Sequence, residues 1–103
     1  MLFAFSVAPT ATDSADGSVS EAVAAAVRVV RESGLPNETT AMFTTIEGEW
    51  DEVMPVIKAA CDAVAAYSPR VSLVLKADLR PGYESQLSAK VERVEEHLRG
   101  EQD

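Results

Sequence analysis

Asn37-Glu38-Thr39-Thr40-Ala41-Met42-Phe43-Thr44-Thr45-Ile46-Glu47 is the segment on which the fold turns. Its threonines, phenylalanine and isoleucine suit a pleated, half-buried backbone. The segment is long enough for two short strands or one bent pair, although no dipeptide within it marks the turn. Read as two strands, it supplies the centre of a β-α-β-β-α-β order, and the flanking sequence supplies the rest.

Toward the N-terminus, Gly34 and Pro36 end a helical stretch, glycine as a left-handed stop and proline as a residue that cannot continue the helix. In that stretch Val19, Val23, Val27 and Val30 recur at helical spacing within an alanine-rich run. Ser18-Val19-Ser20-Glu21 fits a capping box at its start, the Ser18 hydroxyl accepting the Glu21 amide while the Glu21 carboxylate reaches back. Thr10 to Gly17 has no periodicity and a loop composition. Leu2 to Pro9 alternates, with Phe3, Phe5 and Val7 on one face and Ala4, Ser6 and Ala8 on the other, the period of a strand.

Toward the C-terminus a second helical pattern begins near Glu49. Val53, Ile57, Ala60, Cys61 and Val64 form its apolar stripe, and Glu49, Asp51 and Glu52 lie in its first turn, where negative charge is favourable. Pro55 removes a backbone hydrogen bond there and predicts a kink, and Ser68-Pro69 ends the helix. From Arg70 to Arg80, Val71, Leu73, Leu75 and Ala77 alternate with Ser72, Val74, Lys76 and Asp78, predicting a last strand. After the Pro81-Gly82 turn, Leu87, Val91, Val94 and Leu98 mark a terminal helix, with Glu95 and Arg99 paired at i,i+4 on its outer side and a frayed tail from Gly100.

The fold class is therefore α+β: a ferredoxin-like βαββαβ sandwich with an additional C-terminal helix, its four-stranded antiparallel sheet carrying two helices on one face. Residues 1–103 form a single domain, since this length supports one core. The opposite sheet face holds Ala4, Ser6, Ala8 and Val74, too apolar to stay wet in so small a protein. It is expected to meet a second subunit by symmetric dimerisation, giving a homodimer or homotetramer.

Nine basic and seventeen acidic residues give a formal net charge of −8, which repels phosphate backbones and anionic lipid heads, so neither nucleic acid nor membrane is an expected partner. No apolar run is long enough to cross a bilayer, and the N-terminal segment alternates and lacks a charged leader region, so no signal peptide is expected and a cytoplasmic location is. Cys61 is the single cysteine, on an apolar helix face, and reads as an inert thiol without a disulfide. His97 is the single histidine, on the polar flank of the last helix, with no second ligand at metal spacing and no nucleophile arranged around it. No phosphate-binding glycine loop or CxxC motif occurs. The expectation is no catalytic residue, no metal and no cofactor.

Phe5-Ser6-Val7 followed by Ser18-Val19-Ser20, the run Ile46-Glu47-Gly48-Glu49-Trp50-Asp51-Glu52-Val53, and Lys90-Val91 with Val94-Glu95 together resemble the YkoF-like thiamine-binding family over nearly the whole chain and in the right order. The resemblance implies a ferredoxin-like fold, dimers or tetramers, and binding of thiamine or its hydroxymethylpyrimidine half without turnover. Carried over by position, Ser18, Ser20, Thr40, Thr44 and Glu47 fall on the family's motif positions. The chain departs from the pattern at Phe43, where many relatives have glycine, at Ala41, where proline is frequent, and at Ala8-Pro9-Thr10, where a Pro-Leu-Gly-like loop is common. Phe43 would fill part of a pocket over that strand pair or stack on the ligand's aromatic ring.

An aminopyrimidine needs a carboxylate or hydroxyl facing its amine and ring nitrogens, and a thiazolium needs acidic or aromatic company. Glu47, Thr44, Ser20 and Trp50 are of those types, and each also has a structural reading. Glu47 suits the N-terminus of the second helix. Ser18 and Ser20 suit the start of the first, where the same amides could hold an anion. Thr40 and Thr44 are strand formers that would offer hydroxyls from the uncovered sheet face, and Trp50 suits a core or interface anchor. The expected function is non-catalytic binding of thiamine or its pyrimidine moiety, as carrier or sensor. The alternatives are a small dimeric α/β-barrel enzyme and a regulatory protein-interaction module.

Overall fold

The computed structural model describes residues 1–10, 20–82 and 84–102. Among these, β1 (Leu2–Pro9), α1 (Ser20–Glu32), β2 (Asn37–Thr39), β3 (Thr44–Glu47), α2 (Trp50–Ala65), β4 (Val71–Asp78) and α3 (Gln86–Gln102) follow in order. The strands form one antiparallel sheet in the order β2-β3-β1-β4, the ferredoxin-like arrangement with an added terminal helix. The threonine-rich segment is two strands joined at Thr40–Phe43. The Thr40 amide donates to the Phe43 carbonyl at 2.9 Å, and the Thr40 hydroxyl bonds the main chain of Phe43, so a Thr side chain makes the turn that no glycine or proline announces.

The core lies between the sheet and the first two helices. Phe3, Phe5 and Val7 of β1 and Ile46 of β3 meet Ala22, Ala26 and Val30 of α1 and Val53, Ile57, Ala60 and Val64 of α2, all buried. The face α1 turns to the sheet is thus Ala22-Ala26-Val30. Of the expected valine stripe only Val30, among the described residues, reaches the core, Val23 being exposed and Val27 half-buried, and the alanines let the helix approach the sheet closely. Gly34 takes a φ of 78°, the left-handed stop. The Ser18 capping box lies outside the described residues.

Pro55 sits inside α2, which runs unbroken through it because four apolar residues on one face are fully packed. The Glu52 carboxylate accepts the Glu49 amide at 3.0 Å and closes the first turn of that helix. In β4, Leu73, Leu75 and Ala77 oppose Val7, Phe5 and Phe3 and share the core face, as the alternation predicts. Leu73 and Ala77 are nevertheless exposed, since β4 is an edge strand that the two helices barely cover. Glu95 approaches Arg99 at 4.0 Å in α3.

Candidate functional site

β3 is half as long as β1, and its register with β1 ends at the pair Phe5–Thr44. From Ser6 to Pro9, β1 is paired, among the described residues, with β4 on one side only. Beside that free edge, between the tip of the β2–β3 hairpin and the first turns of α1, is a cavity of about 200 Å³. Phe5, Ser6, Val23, Val27, Thr44 and the turn residues Thr40–Phe43 line it, and no ionisable side chain does so among the described residues. The cavity therefore combines apolar walls, the hydroxyl-bearing residues Ser6, Thr39, Thr40 and Thr44, and a strand edge whose amides and carbonyls alternate as donors and acceptors.

Thr40 and Thr44 both line this cavity, in different ways. Thr40 stands in the turn with its hydroxyl engaged by Phe43. Thr44 lies on the core face, not the uncovered face where the sequence reading set it: it opposes Phe5, shares parity with Ile46 and is nearly buried. Its hydroxyl makes no hydrogen bond within the described residues. Phe43 is 37% exposed at the cavity mouth, so its ring is available as a shelf. Ser20 begins α1, one turn before Val23, at the same end of the molecule. Ser6, Val23 and Val27 went unrecognised as lining residues; the signal that would have found them is the mismatch between an eight-residue β1 and a four-residue β3.

Glu47 and Trp50 belong to the other end of β3, Glu47 about 10 Å from Thr44 at ~3.3 Å per residue. Glu47 does not serve the nearby helix α2. Its Oε2 accepts the Gln86 amide at 2.7 Å and its Oε1 the Leu87 amide at 3.4 Å, so this buried carboxylate closes the N-terminus of α3. A wider trough of about 340 Å³ beside it is lined by Glu47, Glu49, Glu52 and Glu84. Its negative charge suits a cation, but the Glu47 oxygens and one Glu52 oxygen are already held by backbone amides. Trp50 sets its ring edge on Phe3, centroids 5.9 Å apart at 63°, and anchors the start of α2 on the core while remaining half-exposed. The structure thus gathers Thr40, Thr44 and Ser20 at one end of the sheet and Glu47 and Trp50 at the other.

Of the titratable groups, Cys61 is half-buried, and desolvation, then the neighbouring Asp62 carboxylate, pushes its thiol above the ordinary value, as fits an inert cysteine. No helix among the described residues is long and apolar enough to cross a membrane.

The sequence profile of the family described as thiamine-binding protein matches residues 3–95. The chain belongs to the thiamine-binding protein family. A UPF0045 protein of Mycobacterium bovis is 52% identical over 99 residues, spanning 95% of this chain and 94% of that one. A hypothetical protein of Methanocaldococcus jannaschii, known by crystal structure, superposes with a TM-score of 0.79 at 33% identity, covering 92% of this chain and 95% of the other. A Thermotoga maritima structure, described as a candidate thiamine biosynthesis/salvage protein, superposes at 0.74 over 89% of this chain and 96% of that one; at 23% identity the likeness is one of fold. Family membership agrees with the resemblance carried by Ile46–Val53, and the fold agrees with the order read from the sequence.

Proposed function

We propose that this protein binds thiamine or its hydroxymethylpyrimidine moiety without turning it over, as a carrier or sensor, in the cavity at the hairpin tip. The observation that carries the reading is the free edge of β1 beyond Phe5, set in that cavity beside the unengaged Thr44 hydroxyl. An aminopyrimidine presents a donor amine next to acceptor ring nitrogens, the pattern a strand edge complements, and its flat ring suits the Phe43 face. The cavity offers no acid, base or thiol among the described residues, which accords with holding a ligand and not transforming it.

In this reading the protein works in the cytoplasm as a homodimer or homotetramer. The exposed apolar side chains Val74, Val91, Val94 and Leu98 support the association. The test is isothermal titration of the folded protein with hydroxymethylpyrimidine, thiamine and thiamine diphosphate. The reading expects saturable heat with the first two, weakened by Thr44→Val; no heat with any of the three at millimolar concentration would overturn it.

A further inference from the structure

Two bonds at the ends of β1 fix the direction in which each of its main-chain groups points. The Thr10 amide donates to the Arg70 carbonyl at 2.9 Å and continues the β1–β4 register, while the Gly48 amide donates to the Met1 carbonyl at 3.1 Å and continues the register with β3. In an antiparallel ladder a residue turns its N–H and its C=O to the same neighbour, and successive residues alternate between neighbours. Even-numbered residues of β1 therefore bond β4, and odd-numbered ones bond β3, Phe3 at Ile46 and Phe5 at Thr44. The register runs without a bulge from Leu2 to Pro9, so Val7 and Pro9 are the next residues to turn toward the β3 side, where β3 has already ended.

Val7 thus presents one N–H and one C=O, side by side, to the hairpin-tip cavity that it lines. The main-chain groups of Ser6 and Ala8 are spent on β4, at Val74 and Ser72. Pro9 has no N–H and adds a carbonyl alone; proline is tolerated at this point of the strand because its nitrogen faces no ladder partner. Among the described residues the Val7 N–H is therefore the single main-chain donor of this edge, and neither it nor the Val7 carbonyl has a hydrogen-bond partner. Val7 is a buried residue, and backbone groups at buried positions are nearly always paired.

A partner for this pair must carry an acceptor beside a donor and must be small. The cavity holds about 200 Å³, where about 150 Å³ is enough for benzene, so its space is that of one substituted six-membered ring. A peptide strand laid on the same edge would meet the turn residues Thr40–Phe43 and find no second donor at Pro9. A ring paired edge-on with Val7 lies in the plane of the sheet, and Val23 and Val27 of α1, on the core side, supply an apolar wall for one of its faces.

We infer that the main chain of Val7 is the specificity-determining element of this cavity, and that the class of ligand it selects is a single nitrogen heterocycle with an exocyclic amine next to an unprotonated ring nitrogen. The ring nitrogen accepts from the Val7 N–H, and the amine donates to the Val7 carbonyl. The inference rests on the proposed binding of a pyrimidine here and adds which atoms are read. Since main-chain groups do the reading, the residue type at position 7 carries no mark of the role.

The test follows amide hydrogen exchange by NMR in the full chain, free and saturated with hydroxymethylpyrimidine, alongside calorimetric titration with that compound and with its analogue lacking the amine. In the free protein the Val7 amide is expected to exchange faster than those of Phe5 and Ser6, which β3 and β4 hold. Saturation should slow Val7 by about tenfold or more and change Phe5 and Ser6 less. The amine-free analogue should bind about two- to tenfold more weakly, the loss of one hydrogen bond. Saturable heat with Val7 exchange unchanged, or equal affinity for the analogue, overturns the inference and leaves pyrimidine binding standing. A Val7 amide as protected as that of Phe5 in the free protein overturns it before any ligand is added. Absence of heat with hydroxymethylpyrimidine overturns the pyrimidine reading itself, and this inference with it.

Discussion

Glu47 and Gln86 lie 39 positions apart in the chain, and the Gln86 amide donates to the Glu47 carboxylate at 2.7 Å. Since that carboxylate is buried and also receives the Leu87 amide, it does for α3 what an N-cap side chain does locally. Glu47→Ala is expected to cost about 1–2 kcal/mol, read as a fall in Tm of roughly 4–8 °C per kcal/mol. Hydrogen exchange at Gln86 and Leu87 should rise more than exchange in α2. Equal loss of protection in both helices would contradict a role confined to α3.

Gly48 follows that residue, and a Cβ added there would sit 2.9 Å from Val53 Cγ2. Val53 is fully buried and β-branched, so it cannot swing away. Gly48→Ala is expected to destabilise by about 1–3 kcal/mol through overpacking, measured by urea denaturation. The paired variant Gly48→Ala with Val53→Ala should recover part of that loss relative to the sum of the two single changes.

Asp78 carries a pH dependence of known sign. The hydrogen bond from Lys90, then its charge, holds the Asp78 carboxyl below the ordinary aspartate range. A folded value lower than the unfolded one stabilises at pH above the unfolded value, about 3.9, and that contribution is lost as pH falls through the folded value. The stability difference between wild type and Asp78→Asn should therefore be constant from neutrality to about pH 4 and close below it. Both partners are partly exposed, so the difference should be small and shrink with added salt. A difference that grows on acidification would contradict the pairing.

Thr44 offers the hydroxyl that the proposed ligand would use. Thr44→Val keeps the shape and the buried side of β3 while removing one hydrogen bond worth about 0.5–1.5 kcal/mol, so affinity for hydroxymethylpyrimidine should fall about two- to tenfold. The free protein's Tm should move little. Phe43→Ala should weaken binding by a similar factor through lost stacking, about 0.5–1.5 kcal/mol. Tighter binding by Phe43→Ala would show that this ring fills the cavity and is not a shelf for the ligand.

The sequence by itself determined the elements and their order, because the period-two run of Leu2–Pro9 and the helical stripe Val53–Ile57–Ala60–Val64 are local consequences of backbone geometry. It also carried the family, through Ile46–Val53, and the parity that places Thr44 with Ile46 on the core face was legible there too. What it could not hold is which distant group meets which. Glu47 stands next to α2 in the chain, yet its carboxylate closes α3, since the row Glu47–Leu2–Asp78 exists only once three strands are in register. Leu73 has the alternation of a core residue and is exposed, since burial depends on where the helices lie across the sheet and not on the period within one strand. The hairpin-tip cavity is likewise a product of pairing: β3 stops at Thr44 while β1 continues to Pro9, and only the sheet register turns that difference in length into an open strand edge.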